Sequence, residues 1–199
     1  MSTSDVILKG KNKDKAYKKL RKQFLKLTLS MSNSGKLSSS SPGRTAQEVA
    51  LKTAIENPDI EVKLQITEKN YVNESNGSKS IFAVGLYRGN STDSKGIINA
   101  VQYINLSHAV VWHELGGGNI AKSIAHEIIE AYIGAIYYPN SGYENRQSAH
   151  DMTVSLEEPP EYYPIQNTHV EENTNIFQYM ELVGKNNEKR ILYTKEDIK

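Results

Sequence analysis

Between Gly118 and Pro139 runs "NIAKSIAHEIIEAYIGAIYY", the segment that most restricts what this chain can fold into. The glycines before it release the backbone, Asn119 is a ready N-cap, and Pro139 stops a helix. Ile128, Ile129, Ile133 and Ile136 point to several sides of such a helix, so it must lie centrally, with other elements wrapped around it. Yet the same segment carries His126, Glu127 and Glu130. A central helix cannot bury two carboxylates without partners, because desolvating an unpaired charge is costly. The fold therefore has to supply partners for these groups.

Helical geometry defines what they can do together. At roughly 100° per residue, His126 and Glu130 differ by only about 40° and share a face. Ile120, Ile124, Ile128 and Ala131 form a face largely opposite, and Glu127 lies between the two, beside the histidine. The pattern is H-E-x-x-H with its last histidine replaced by glutamate. A catalytic zinc needs three protein ligands and one open position. His126 and Glu130 supply two, and His150 in "SAHDM", after a loop and on a second expected helix, can supply the third. Glu127 is then the general base, and Asp151 is placed to orient a ligand from behind. The chain has no cysteine, which excludes thiolate ligands and disulfides.

The rest of the chain reads as short strands between helices. Residues 1–24 form a polar arm with a basic helix, "KAYKKLRKQFLKL", striped by Tyr17, Leu20, Phe24 and Leu27. "LKLTLSMS" alternates as a strand, with the switch from helix at Leu25. "RTAQEVALKTAIEN" is a helix with Ala46, Val49, Ala50, Thr53 and Ala54 on one face, stopped by Asn57-Pro58. "IEVKLQIT", "IFAVGLYRG" and "GIINAVQYINLS" are strands, "NYVNESNGSKS" between them is a loop, and a helix is expected around Arg146 to Leu156. "NIFQYMELVG" and "KRILYTK" flank "KNNE" as a C-terminal hairpin. The expected fold is α+β: a small, mainly antiparallel sheet against the central helix and flanking helices, with residues 25–199 as a single metal-binding domain.

The formal net charge of +1 gives no general bias toward nucleic acid. The basic helix is instead expected to dock by its stripe, a nucleic-acid or acidic-lipid arm being the alternative. No stretch approaches the roughly 20 apolar residues of a membrane span, and the N-terminus lacks the apolar core of a secretory signal. Among the other histidines, His113 is expected to be structural or pocket-lining, and His108 and His169 to lie on the surface. Tyr137, Tyr138, Tyr143, Tyr162 and Tyr163 are candidates for an oxyanion donor.

"HEIIEAYIGA" followed by "SAHDM" resembles a segment in the C-terminal domains of bacterial polymorphic toxins of the Rhs-repeat kind, which carry H-E-x-x-E-[AG]-Y-x-G-A and then A-H. The resemblance extends loosely over residues 25 to 155. It implies a zinc-metallopeptidase-like toxin domain, with His126, Glu130 and His150 on the metal and Glu127 as the base. It also implies a peptide or protein substrate, secretion or delivery by a secretion system, and a cognate immunity protein. The chain departs from the family in having its own initiator Met and no Rhs repeats in front, which leaves open a trimmed piece or a free-standing relative; with no secretory signal, any export address is expected on an upstream part or a delivery machine. Two rival readings stand beside this one. Two histidines and a carboxylate also form the ligand set of non-haem iron enzymes. The segment is also compatible with a non-enzymatic binding domain in which the helix is only core.

Overall fold

The computed structural model describes residues 5–69, 71–73, 77–142, 145–171 and 177–198. The fold is α+β, and the chain forms two compact units. The first unit comprises the chain up to Thr67, Leu86–Ile104 and Ala121–Glu158; the second comprises Glu68–Gly85, Asn105–Ile120 and the chain from Pro159 on.

The first unit opens with strand β1 (Val6–Lys9), from residues expected to lie in a polar arm. Val6 and Leu8 are fully buried. β1 runs parallel to β4 (Ile60–Thr67), with Val6 opposite Val62 and Leu8 opposite Leu64. Four residues alternating inward are enough once a partner strand covers them, and a neighbour so distant in sequence leaves no local trace. Helix α1 (Lys13–Gln23) buries Ala16 and Leu20, and Tyr17 donates to the Leu29 carbonyl at 3.1 Å. The expected strand from Leu25 starts late. Leu25–Leu27 form a 3₁₀ turn, Thr28 has φ 50°, and only Leu29–Met31 are strand β2, paired antiparallel with β3 (Leu37–Ser39).

Helix α2 (Ala46–Glu56) begins in a capping box, Thr45 Oγ1 accepting from the Glu48 N–H at 3.1 Å and Glu48 Oε2 accepting from the Thr45 N–H at 3.2 Å. Its buried face is Gln47, Glu48, Leu51, Ala54 and Ile55, rotated from the expected one, and Val49 is exposed. The small alanines made the wrong stripe look apolar; Leu51 and Ile55 have more area to bury.

Strands β7 (Gly85–Thr92) and β8 (Ile98–Asn105) complete a sheet ordered β1-β4-β8-β7. Helix α4 (Ile120–Tyr137) packs on them and buries nearly every residue from Ile124 to Ala135. Contact is closest at Gly134. A Cβ there would stand 2.7 Å from the Tyr87 hydroxyl and ring, and that hydroxyl accepts from Asn90 Nδ2 at 2.6 Å. Asn90 Nδ2 also lies 3.2 Å from the Gly134 carbonyl, so the ring cannot swing away freely. Gly134→Ala is therefore expected to destabilise the protein by up to about 2 kcal/mol, since overpacking against the held Tyr87 ring costs roughly 1–3 kcal/mol and alanine's helix advantage returns about 1 kcal/mol. A thermal melt showing an unchanged or raised Tm would refute this. Helix α5 (Arg146–Val154) follows, at the position expected from the sequence.

The second unit holds helix α3 (Leu106–Glu114) and a three-stranded antiparallel sheet, β11-β10-β9. Strands β10 (Phe177–Val183) and β11 (Lys189–Thr194) are the expected hairpin; β9 (Ile165–Val170) was not expected. The segment read as a loop before Ile81 contains β5 (Tyr71–Asn73) and β6 (Lys79–Ile81), paired antiparallel. His108, expected on the surface, is buried. It stacks on Tyr193 and hydrogen-bonds the Ala83 carbonyl, and its burial lowers its pKa below the ordinary 6.5. His169 is partly exposed and lies 3.1 Å from Glu181 Oε1. Among the described residues, no helix is long and apolar enough to cross a membrane.

Candidate metal centre

The first unit brings together three side chains that the sequence separates. His126 and Glu130 stand one turn apart on α4, and His150 comes from α5. His126 Nε2 lies 3.1 Å from His150 Nδ1 and 3.3 Å from Glu130 Oε2. His150 Nδ1 lies 3.2 Å from the same carboxylate oxygen, closing a triangle. The two imidazoles meet edge to face at 64° rather than stacking. His126, Glu130 and His150 thus form a group that could hold a metal ion.

Local packing explains the convergence. On α5, Ala149 and Thr153 are fully buried one turn apart, and Thr153 Oγ1 donates to the Ala149 carbonyl at 2.8 Å. With that face pinned, the adjacent His150 projects from the flank toward α4. Its side chain keeps 46% of its surface, against 12% for His126 and 9% for Glu130, so the cluster is open on the His150 side.

The donor atoms fit an ion. Ligands at about 2.0–2.1 Å around a tetrahedral centre are separated by roughly 3.3 Å, close to all three sides of this triangle. The donor set, two imidazole nitrogens and one carboxylate oxygen, suits a divalent metal of intermediate softness.

Other polar groups surround the triangle. His126 Nδ1, its far ring nitrogen, lies 3.2 Å from Glu157 Oε1, just beyond α5. Gln47 Nε2 of α2 donates to that same oxygen at 2.6 Å. Glu127 is buried, and its Oε2 accepts from Gln102 Nε2 of β8. Gln102 is itself fully buried, and its Oε1 has no hydrogen-bond partner among the described residues. Considering the protein groups alone, burial pulls the His126 pKa down, but its bonds to Glu130 and Glu157 prevail and raise it to about 10. Burial pushes Glu127 up to about 8, reinforced by the nearby Glu130 charge. Burial would raise Glu130 too, yet the bonds from His126 and His150 hold it below the usual carboxylate range.

Asp151, expected to orient a ligand, does not reach the cluster. It is exposed, and its Oδ1 accepts from Gln147 Nε2 at 2.7 Å. The carboxylate behind the centre is Glu157, hidden in "LEEPP" beyond the expected helix. Gln102 had a signal: it interrupts the inward row Ala100, Gln102, Ile104 of an apolar strand. His113 is exposed, with Nδ1 against the Gly118 carbonyl in the turn after α3, which agrees with a structural role. Of the tyrosines, Tyr137 is exposed, Tyr163 half-exposed, and the Tyr162 hydroxyl faces the Val183 carbonyl at 3.5 Å. Tyr143 lies outside the described residues. Compared with family models, curated proteins and solved structures, the chain matches none.

Proposed function

We propose that the protein is a zinc-dependent hydrolase of peptide or other amide bonds, acting as a bacterial effector domain. The observation that carries this reading is the triangle of His126 Nε2, Glu130 Oε2 and His150 Nδ1, with sides of 3.1 to 3.3 Å, directly beside a buried carboxylate at Glu127. The likeness of "HEIIEAYIGA" and "SAHDM" to Rhs-type toxin domains supports the effector role and an immunity protein as partner.

His126, Glu130 and His150 would hold the ion, with the half-exposed His150 on the open side of the cluster. Zinc held there would supply Lewis acidity, the chemistry that makes water nucleophilic near neutral pH and polarises an amide carbonyl. Glu127 takes the proton from the attacking water and returns it to the leaving amine. Gln102 engages one of its oxygens and so directs the other to the proton. Glu127 and Glu130 are both buried, which strengthens their interactions with cationic groups.

The test is elemental analysis of the purified chain, followed by digestion of a mixed peptide library read by mass spectrometry. Zinc near one per chain is expected, with cleavage that a chelator stops and added zinc restores. Iron with oxygen uptake would shift the assignment to an oxygenase, because the ligand set is shared. A metal-free protein without cleavage would leave the helix as core of a binding domain.

A further inference from the structure

We infer that Glu157 is a positioning residue for the metal centre, orienting His126, and that Gln47 locks Glu157 in place. The inference rests on the metal reading above and deepens it.

The two nitrogens of His126 face different groups. Nε2 faces Glu130 and His150, at 3.3 and 3.1 Å. Nδ1 faces Glu157 Oε1 at 3.2 Å. An imidazole that ligates through one nitrogen carries its proton on the other, and the acceptor of that proton selects both tautomer and ring angle. Glu157 is that acceptor, and it works from the side of the ring away from the other ligands.

A carboxylate can orient a ring only if it is itself held. Gln47 Nε2 donates to the same Oε1 at 2.6 Å, and Gln47 is 4% exposed. The Glu157 backbone N–H donates to the Val154 carbonyl at 3.1 Å, continuing the last turn of α5. The oxygen is thus held from α2, and the backbone that carries it is held by the last turn of α5. The relay runs from Gln47 through Glu157 to His126, joining three separate segments of the first unit. Asp151 offers the same chemistry next to a ligand in sequence but is engaged elsewhere, by Gln147.

The test titrates zinc into the full-length chain in competition with a chromophoric chelator. Glu157→Gln keeps the shape and removes the charge. It is expected to weaken zinc binding roughly 10- to 100-fold at unchanged stoichiometry. Glu157→Ala is expected to weaken it further, Gln47→Ala to fall between Glu157→Gln and the natural protein, and Asp151→Asn to stay within about threefold. Circular dichroism checks folding, and the isosteric Glu157→Gln carries the test if the alanine variant does not fold. A packing role alone would not touch the second readout. The His126 Nδ1 proton of the zinc-loaded protein is expected to be visible by NMR, shielded from exchange, and to vanish in Glu157→Ala. If Glu157→Gln binds zinc within threefold of the natural protein and keeps that proton, the inference is wrong while the centre stands. A natural protein that takes up no zinc overturns the centre and this relay together.

Discussion

Zinc binding is expected to disappear in His126→Ala and in His150→Ala. Structural zinc sites with four ligands bind with about 10–16 kcal/mol, so one ligand contributes roughly 3 kcal/mol, or 10²- to 10³-fold in affinity. A centre with only three protein ligands has little left after such a loss. The two variants differ in their side effects. His126 is nearly enclosed and pairs with both Glu130 and Glu157, so its removal takes one partner from each, leaving Glu130 to His150 and Glu157 to Gln47. Breaking a buried pair costs about 3–5 kcal/mol, and the melting temperature should fall as well. His150 is nearly half exposed, and its truncation removes little packing. Loss of zinc from a His150→Ala chain with an unchanged melt therefore isolates ligation from stability. Dialysis followed by elemental analysis and chelator competition provides the measurement. Affinity in His150→Ala within threefold of the natural protein would remove His150 from the ligand set.

Glu127→Gln is expected to retain zinc and lose about 10²- to 10⁴-fold in kcat, the usual contribution of a general base. The substitution keeps the side-chain volume and the hydrogen bond to Gln102, so the buried pair survives. What disappears is the ability to accept a proton. The ligand triangle is untouched, so metal content separates this variant from the histidine ones. Turnover equal to that of the natural protein, at full zinc occupancy, would show that the proton goes elsewhere. Loss of zinc along with turnover would instead place Glu127 among the groups that build the centre.

The elements with strong local punctuation were legible in the sequence. Helix α4 runs from Ile120 to Tyr137, between the glycines and the proline that marked it. The C-terminal hairpin and helix α5 stand where period and turn residues put them. Misreadings arose where a distant partner decides. Val6 and Leu8 look like part of a charged arm until β4 covers them. The buried stripe of α2 is chosen by what lies beneath it, and the chain alone offered two stripes with similar spacing. His108 reads as an ordinary polar residue, yet its ring stacks on Tyr193.

The site divides in the same way. That His126 and Glu130 share a face, with Glu127 beside them, is a property of the α-helix. Backbone hydrogen bonds repeat every 3.6 residues wherever the helix sits, and the sequence by itself determined this much. The arrival of His150 is a different kind of fact. It depends on Ala149 and Thr153 being the buried face of α5, which turns the next residue toward α4. The same rotation leaves Asp151 in solvent and carries the chain on to Glu157, where Gln47 waits on α2. These contacts join residues separated by as many as 110 positions. Only the tertiary structure could decide them, because side-chain packing across elements has no period that a single chain displays.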